Sequence, residues 1–277
     1  MTYKDLLNDP QTRSAYITEE IGVSEDELPN TLIVTPIPFD MVFPEGYLHR
    51  LKMAGCETYE KPSGDYVLQK LSTNLLIRCN NREVLLAILG RGTVEFSDRI
   101  YMLAATGRVK QVIFLGSAAS LQDHVVSGDI NVPELALPIE NVSALHVDVN
   151  RAVPRADKKL HRKLLALSRE FTPTQVHSER HATVTLFYQE TRELLEFLRD
   201  FGVATIDMEI SAIYRIANYY DVAAAAMVRV GDMPLHGKHI LDEESRRHRE
   251  EAKKVAKEAL FRTAIAATLG EKVAKRL

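Results

Sequence analysis

The sequence predicts an α/β fold: a single domain whose central mixed, largely parallel β-sheet is flanked by helices. Three observations carry that expectation. Runs apolar on both faces alternate with stretches of helical spacing, as strands buried between two helical layers require. The apolar runs end abruptly in glycine or acidic residues. No Gly/Ser linker, internal repeat or low-complexity tract divides the 277 residues, enough chain for one sizeable core.

Each element follows in order. The opening MTYKDLLNDPQTRSAY is polar and helix-like without the apolar run of a leader, so residues 1–30 are expected to form an N-terminal helical extension to an α/β domain over 31–277. TLIVTP (31–36) is β-branched and stops at proline. EVLLAILGRG (83–92) and KQVIFLGSAAS (110–120) are apolar runs closed by glycine, and VEFSDRIYMLAATGR (94–108) between them has the spacing of a crossover helix. GDINVPELAL (128–137) reads as a strand entry, PRADKKLHRKLLALSREF (154–171) as a helix with a solvated face, and HATVTLF (181–187) as a strand. QETRELLEFLRDFG (189–202) is helical, ATIDME (204–209) a strand, SAIYRIANYYD (211–221) a helix and VAAAAMVRVGD (222–232) a strand. Residues 243–269 form a long amphipathic helix with Ala252, Val255, Ala256, Ala259, Leu260 and Ala267 on one stripe.

Composition excludes several classes of function. With 45% hydrophobic and 26% charged residues the chain is globular, and a net charge of -3 supplies no field for nucleic acid or a membrane surface. No run of 18 apolar residues is present. The two cysteines, Cys56 and Cys79, form no CxxC pair and read as free thiols of a reducing compartment, so a cytoplasmic location, no metal and no cofactor are expected.

Open α/β sheets bind ligands outside the carboxyl ends of their strands. Four such ends stand out: Gly90-Arg91-Gly92-Thr93, Gly116-Ser117-Ala118-Ala119, Asp207-Met208-Glu209 and Gly231-Asp232. Glycine at a strand-to-helix turn lets backbone N–H groups approach a ligand, yet neither glycine pair forms a phosphate loop or a dinucleotide fingerprint. Carboxylates closing apolar runs need a partner or a use. Glu209 suits two vicinal hydroxyls and Asp232 a basic leaving group; salt bridges with Arg215 or Arg229 are the structural alternative.

KQVIFLGSAASLQDHVVSGDINVPE, VTLFYQE, IDMEISAIY and VRVGDMP occur in an order and spacing that resemble the nucleoside phosphorylase and nucleosidase superfamily, its hexameric purine branches above all. The resemblance spans about residues 32–267. It implies that Glu209 accepts from the ribose hydroxyls, Met208 lies under the sugar, Phe187 stacks on the base, and Asp232 protonates or hydrogen-bonds the purine. Arg246 is the implied support of Asp232, with Arg247 the alternative one residue on. Gly116 and Ser117 fall on the substrate turn. A homo-oligomer, dimer or hexamer, is implied as well.

The phosphate site departs from the resemblance. Pro36 and Asp40 stand where a glycine and an arginine are expected, and Phe114 where a second arginine is expected. A carboxylate there repels a phosphate dianion. Hydrolysis is therefore the favoured expectation, with Asp40 as candidate general base for water. Phosphorolysis, with phosphate as co-substrate held by Arg91 or by a neighbouring subunit's arginines, is the alternative. A silent nucleoside-binding protein is a third reading, because Gly231 replaces a serine beside Asp232. His49, His124, His236 and His239 read as surface or loop residues, and the missing pyrimidine motif in FYQETR leaves purine as the expected base.

Overall fold

A computed structural model describes residues 9–63, 72–140, 153–237 and 243–277, with only the backbone described over 62–63, 72–73 and 243–249. The last of these segments is helical, and one sheet runs through the first three. Its parallel centre is β4 (Arg82–Ile88), β1 (Thr31–Thr35), β5 (Gln111–Ser120) and β11 (Ala223–Asp232), in that order. On one side the antiparallel pair β2 (Glu57–Ser63) and β3 (Ser72–Cys79) extends it from β4; on the other, β6 (Ile130–Asn131) and β8 (Val176–His177) continue from β11. A third arm, β10 (Val203–Asp207), β9 (Arg180–Thr183) and β7 (Ala136–Pro138), joins the end of β5, where Thr205 and Ile206 pair with Ser120 and Ala119.

That junction positions the site. The edge of β5 is paired with β1 over Gln111 to Phe114 and with β10 over Ala119 and Ser120. Between the two, around Gly116 and Ser117, the strands diverge and that edge carries no partner among the described residues. A sheet opened in this way offers backbone groups and side chains to a ligand without exposing its core.

The apolar character of the central strands has a direct cause. Helices α5 (Lys158–Phe171), α7 (Ile210–Tyr219) and α8 (Glu243–Thr268) all pack on β11, and Ala224 to Val228 are completely buried. Alanines along this strand let the helices approach closely. The phenol of Tyr214, also in the core, donates to Pro133 O at 2.7 Å and accepts from Ala226 N at 3.1 Å. Helix α4 (Gly92–Ala105) crosses between β4 and β5 as the sequence predicts.

Three local differences have physical reasons. Strand β5 runs on to Ser120, so Gly116 to Ala119 lie within a strand; Gly116 is small because an added Cβ would fall 2.7 Å from the Phe114 ring. Strand β9 stops at Thr183, and Phe187 sits in a 3-10 turn over Phe187–Gln189. Gln189 Oε1 accepts from the backbone N–H groups of Thr185 and Leu186 at 2.8 and 2.9 Å, and these bonds turn the chain away from the sheet. The first helix, α1 (Pro10–Ile21), starts on an Asp9 cap that accepts from Thr12 N at 2.8 Å. Its Ile17 and Ile21 belong to the same apolar core as Leu32 and Leu51. Residues 1–8 lie outside the described residues.

Candidate active site

Glu209 is built into the fold. β10 ends at Asp207, and α7 begins at Ile210, leaving Glu209 at the helix entrance with φ -136° and ψ -38°. It is 5% exposed, and its Oε1 accepts from Gly92 N at 2.7 Å. Gly92 can supply that N–H because the turn after β4 takes φ +79° there and +84° at Gly90, a backbone that glycine adopts without strain. Burial raises the Glu209 carboxyl to about 8, and the charge of Asp207 adds to the rise.

Asp207 has a separate task. Its Oδ1 accepts from Thr183 Oγ1 at 2.7 Å, and its Oδ2 from Ile210 N at 3.1 Å, which caps α7. The same carboxylate lies 2.8 Å from Nε2 of the fully buried His181. Asp207 thereby fixes the β10–α7 corner that aims Glu209.

Of the other expected residues, Met208 and Arg91 act at this corner directly. Met208 packs with Ile139, Leu194 and Leu235 on the cluster of Ala119, Leu121, Val184 and Ile206, forming an apolar floor. Arg91, exposed at the start of α4, is close enough to act electrostatically on Glu209. Ser117 is partly exposed on the unpaired edge of β5. Phe187 is 52% exposed, in edge contact with Tyr188, so the aromatic wall stands open in this chain.

Asp232 closes β11 after a bulge at Gly231: Val230 pairs with Ala118 and Asp232 with Ala119. A Cβ on Gly231 would lie 2.7 Å from Ser117 Oγ, so the missing side chain is matched to Ser117. Arg246 and Arg247 lie in α8 with side chains outside the described residues. Asp40 is exposed at the start of the short helix α2 (Phe39–Val42), and its carbonyl accepts from Lys257 Nζ at 2.7 Å. Phe114 is core, 5.6 Å from Phe96 in edge contact.

Sequence reading missed Glu190. This partly buried residue at the end of the 3-10 turn is pushed up to about 7, first by burial and then by the charges of Asp232 and Asp207. Glu190 and Asp232 thus lie within electrostatic reach of one another. The signal was present in FYQETR, but a lone glutamate before a helix is usually a solvated one.

Of the histidines, His236 lies 3.1 Å from exposed Asp123, and His177 lies 2.9 Å from buried Asp129. His124, His177 and Glu179 offer metal-type ligand atoms within 4.8 Å of one another, with His124 Nε2 already 3.1 Å from Glu179. His49 is exposed, and His239 lies outside the described residues. Both cysteines are buried free thiols. A polar depression of about 720 Å³ lies at the opposite end of the sheet, lined by Thr31, Asn81 and Glu83 among others, and includes none of these residues.

Residues 48–266 match the profile of the phosphorylase superfamily. DeoD-type purine nucleoside phosphorylases of Bacillus cytotoxicus and Bacillus cereus are 26% identical over 170 and 155 residues, covering 61% and 56% of this chain and 72% and 66% of theirs. A crystal structure of purine nucleoside phosphorylase from Toxoplasma gondii in complex with immucillin-H shares the fold, with a TM-score of 0.69 at 17% identity, covering 88% of this chain and 92% of that one. So does uridine phosphorylase from Vibrio fischeri, with a TM-score of 0.67 at 16% identity, covering 87% and 94%.

Proposed function

This chain belongs to the phosphorylase superfamily, whose members here are enzymes that cleave N-glycosidic bonds, and we propose that it cleaves the N-ribosidic bond of a purine-type nucleoside. The observation that carries the reading is the buried Glu209 carboxyl, held by Gly92 N–H over an apolar floor that includes Met208. A ribose diol fits an acceptor of this kind, because its two hydroxyls return the hydrogen bonds that burial removes.

Across the site, Asp232 and Glu190 face the leaving base. Breaking the C1′–N bond builds positive charge on the ribose ring and negative charge on the base. The partly buried Glu190, protonated up to about pH 7, gives the base side a proton source beside Asp232. Phe187 and Tyr188 offer aromatic faces to the base. Their exposure suits a wall completed by a second copy in a homo-oligomer.

Two attackers are compatible with this machinery. Asp40 and Phe114 in place of cationic residues favour water, whereas the buried Arg229 favours an anion. Incubating the protein with inosine, adenosine and methylthioadenosine, with and without phosphate, tests the reading through release of free base. Release from a riboside under either condition supports cleavage. Tight binding with no release under both would leave a nucleoside-binding protein.

A further inference from the structure

Three side chains that the cleavage reading does not use converge beside β8. His177 ends that strand, Glu179 follows two residues on, and His124 reaches them from the turn after β5. Each offers a ligand atom, and the three atoms lie within 4.8 Å of one another. His124 Nε2 is 3.1 Å from Glu179 Oε1, although the two residues are 55 apart in the chain. Ligands held about 2.0–2.2 Å from a tetrahedral ion stand about 3.3–3.6 Å apart, so this pair is already close to the spacing that one metal imposes.

The surrounding structure holds the set in place. Asn131, fully buried on β6, accepts from Glu179 N at 3.0 Å and donates to Glu179 O at 3.4 Å, which fixes the backbone that carries the carboxylate. Ser178 turns the other way, its Oγ 3.0 Å from His161 Nε2, so His177 and Glu179 fall on a common side of the chain. His177 Nε2 lies 2.9 Å from Oδ2 of Asp129, a 4% exposed carboxylate that also accepts from Val126 N at 3.0 Å. A carboxylate behind an imidazole is the usual support of a metal-bound histidine, because it fixes the tautomer and makes the ring a stronger electron donor. Hydrogen bonding accounts for each pair, His124 with Glu179 and His177 with Asp129, but not for their meeting, with ring centroids 5.9 Å apart.

We propose that His124, His177 and Glu179 form a binding site for a divalent transition metal of the zinc class, with Asp129 supporting His177 from behind. Two neutral imidazoles and one carboxylate suit zinc and its neighbours; Mg²⁺ and Ca²⁺ take oxygen ligands. The carboxylates of Glu179 and Asp129 together balance the charge of a dication. The side chain of His124 is 59% exposed, so solvent completes the coordination. A bound ion ties the turn after β5 to the connection between β8 and β9. It also braces the end of β11, since Val230, two residues before Asp232, donates from its backbone to Asp129 O at 2.8 Å. The site is distinct from Glu209 and Asp232 and stands whether or not the chain cleaves ribosides.

Zinc binding to the untagged protein, measured by competition with a chromogenic chelator, tests the site without turnover. Wild type is expected to bind one Zn²⁺ per chain and to keep it against an equal concentration of Mg²⁺. His124→Ala, at an exposed position whose loss does not threaten the fold, should bind at least about tenfold more weakly, since removing even an outer partner of a ligand costs about ten- to a hundredfold. Glu179→Gln, which keeps the shape but not the charge, should do the same. His49→Ala, in the helix that packs on β2 at the other end of the sheet, should bind as wild type does. Zinc should raise the Tm of wild type, because the ion binds the folded chain, and the rise should vanish in His124→Ala. Equal affinity in wild type, His124→Ala and Glu179→Gln would place bound zinc elsewhere and overturn the proposal, as would wild type that binds no zinc. Displacement by equal Mg²⁺ would overturn the choice of metal.

Discussion

Gly92 N–H donates to Glu209 Oε1 at 2.7 Å, tying the turn after β4 to the entrance of α7 across 117 residues of sequence. The bond survives in Glu209→Gln, whose amide oxygen can accept it, whereas the titration does not. Glu209 is raised from an ordinary 4.5 to about 8, so between those values the folded protein holds a proton that the unfolded chain has released. Stability from this group is therefore lost as pH rises through that window. Calorimetry from pH 5 to 9 should show Glu209→Gln gaining on wild type as pH rises, by up to about 1.4 kcal/mol per pH unit. Riboside affinity should fall by about 1–3 kcal/mol while free-base affinity holds. A Tm difference that stays constant across the window would mean that Glu209 is not buried as a carboxylic acid.

Glu190 carries a second pH signature. Its carboxyl, pushed up to about 7, is protonated below that value and ionised above it. If it donates to the base side, kcat/KM falls as pH rises through about 7 in wild type. Glu190→Gln cannot titrate, so this limb should disappear from its profile, with kcat lowered about ten- to a hundredfold, within the range of lost general-acid catalysis. An unchanged limb in the variant would assign the titration elsewhere.

Asp207 and Glu209 are separated by one residue yet differ in kind. Asp207 accepts from Thr183 Oγ1 and Ile210 N and lies 2.8 Å from His181, so its loss leaves several buried groups without their acceptor. Asp207→Ala should destabilise the fold by about 1–3 kcal/mol for each buried donor left without its acceptor. Urea unfolding measures it. A loss under about 1 kcal/mol, the worth of an exposed pair, would show that the corner is held by packing alone.

The frame of the candidate site was legible because strand ends announce themselves. β1, β4, β5 and β11 read correctly from apolar runs whose faces are both buried, and Glu209 and Asp232 stood out as carboxylates closing such runs. The capping role of Asp207 was hidden, since its partners His181 and Thr183 come from β9, brought alongside only by tertiary pairing. Arg229 was legible as a charge in an apolar run, but sequence suggested a salt bridge; only the pairing with Ser117 shows which face it takes. The β2–β3 pair escaped notice because STNLLIRC sets Leu75, Leu76 and Ile77 side by side between polar residues, so no alternation marks it, and the edge strand β2 is largely polar.

Gly231 offers the most local test of how this site departs from the pattern that the family resemblance implies. An added Cβ there would sit 2.7 Å from Ser117 Oγ, closer than real carbon atoms approach, so either the hydroxyl turns away or the two strands part. Gly231→Ser, which restores the residue the family resemblance expects, should cost about 1–3 kcal/mol of stability by overpacking. Gly231→Ala should cost a similar amount, because the clash begins at Cβ. Removing the opposing hydroxymethyl in Ser117→Gly should relieve it, so the double variant Ser117→Gly/Gly231→Ala should be more stable than the sum of the single changes predicts, by about 0.5–3 kcal/mol. Urea unfolding of the four proteins in this cycle gives the coupling directly. Strict additivity would mean that the two strands separate to admit the new atom, and that Gly231 serves the bulge and not the hydroxyl.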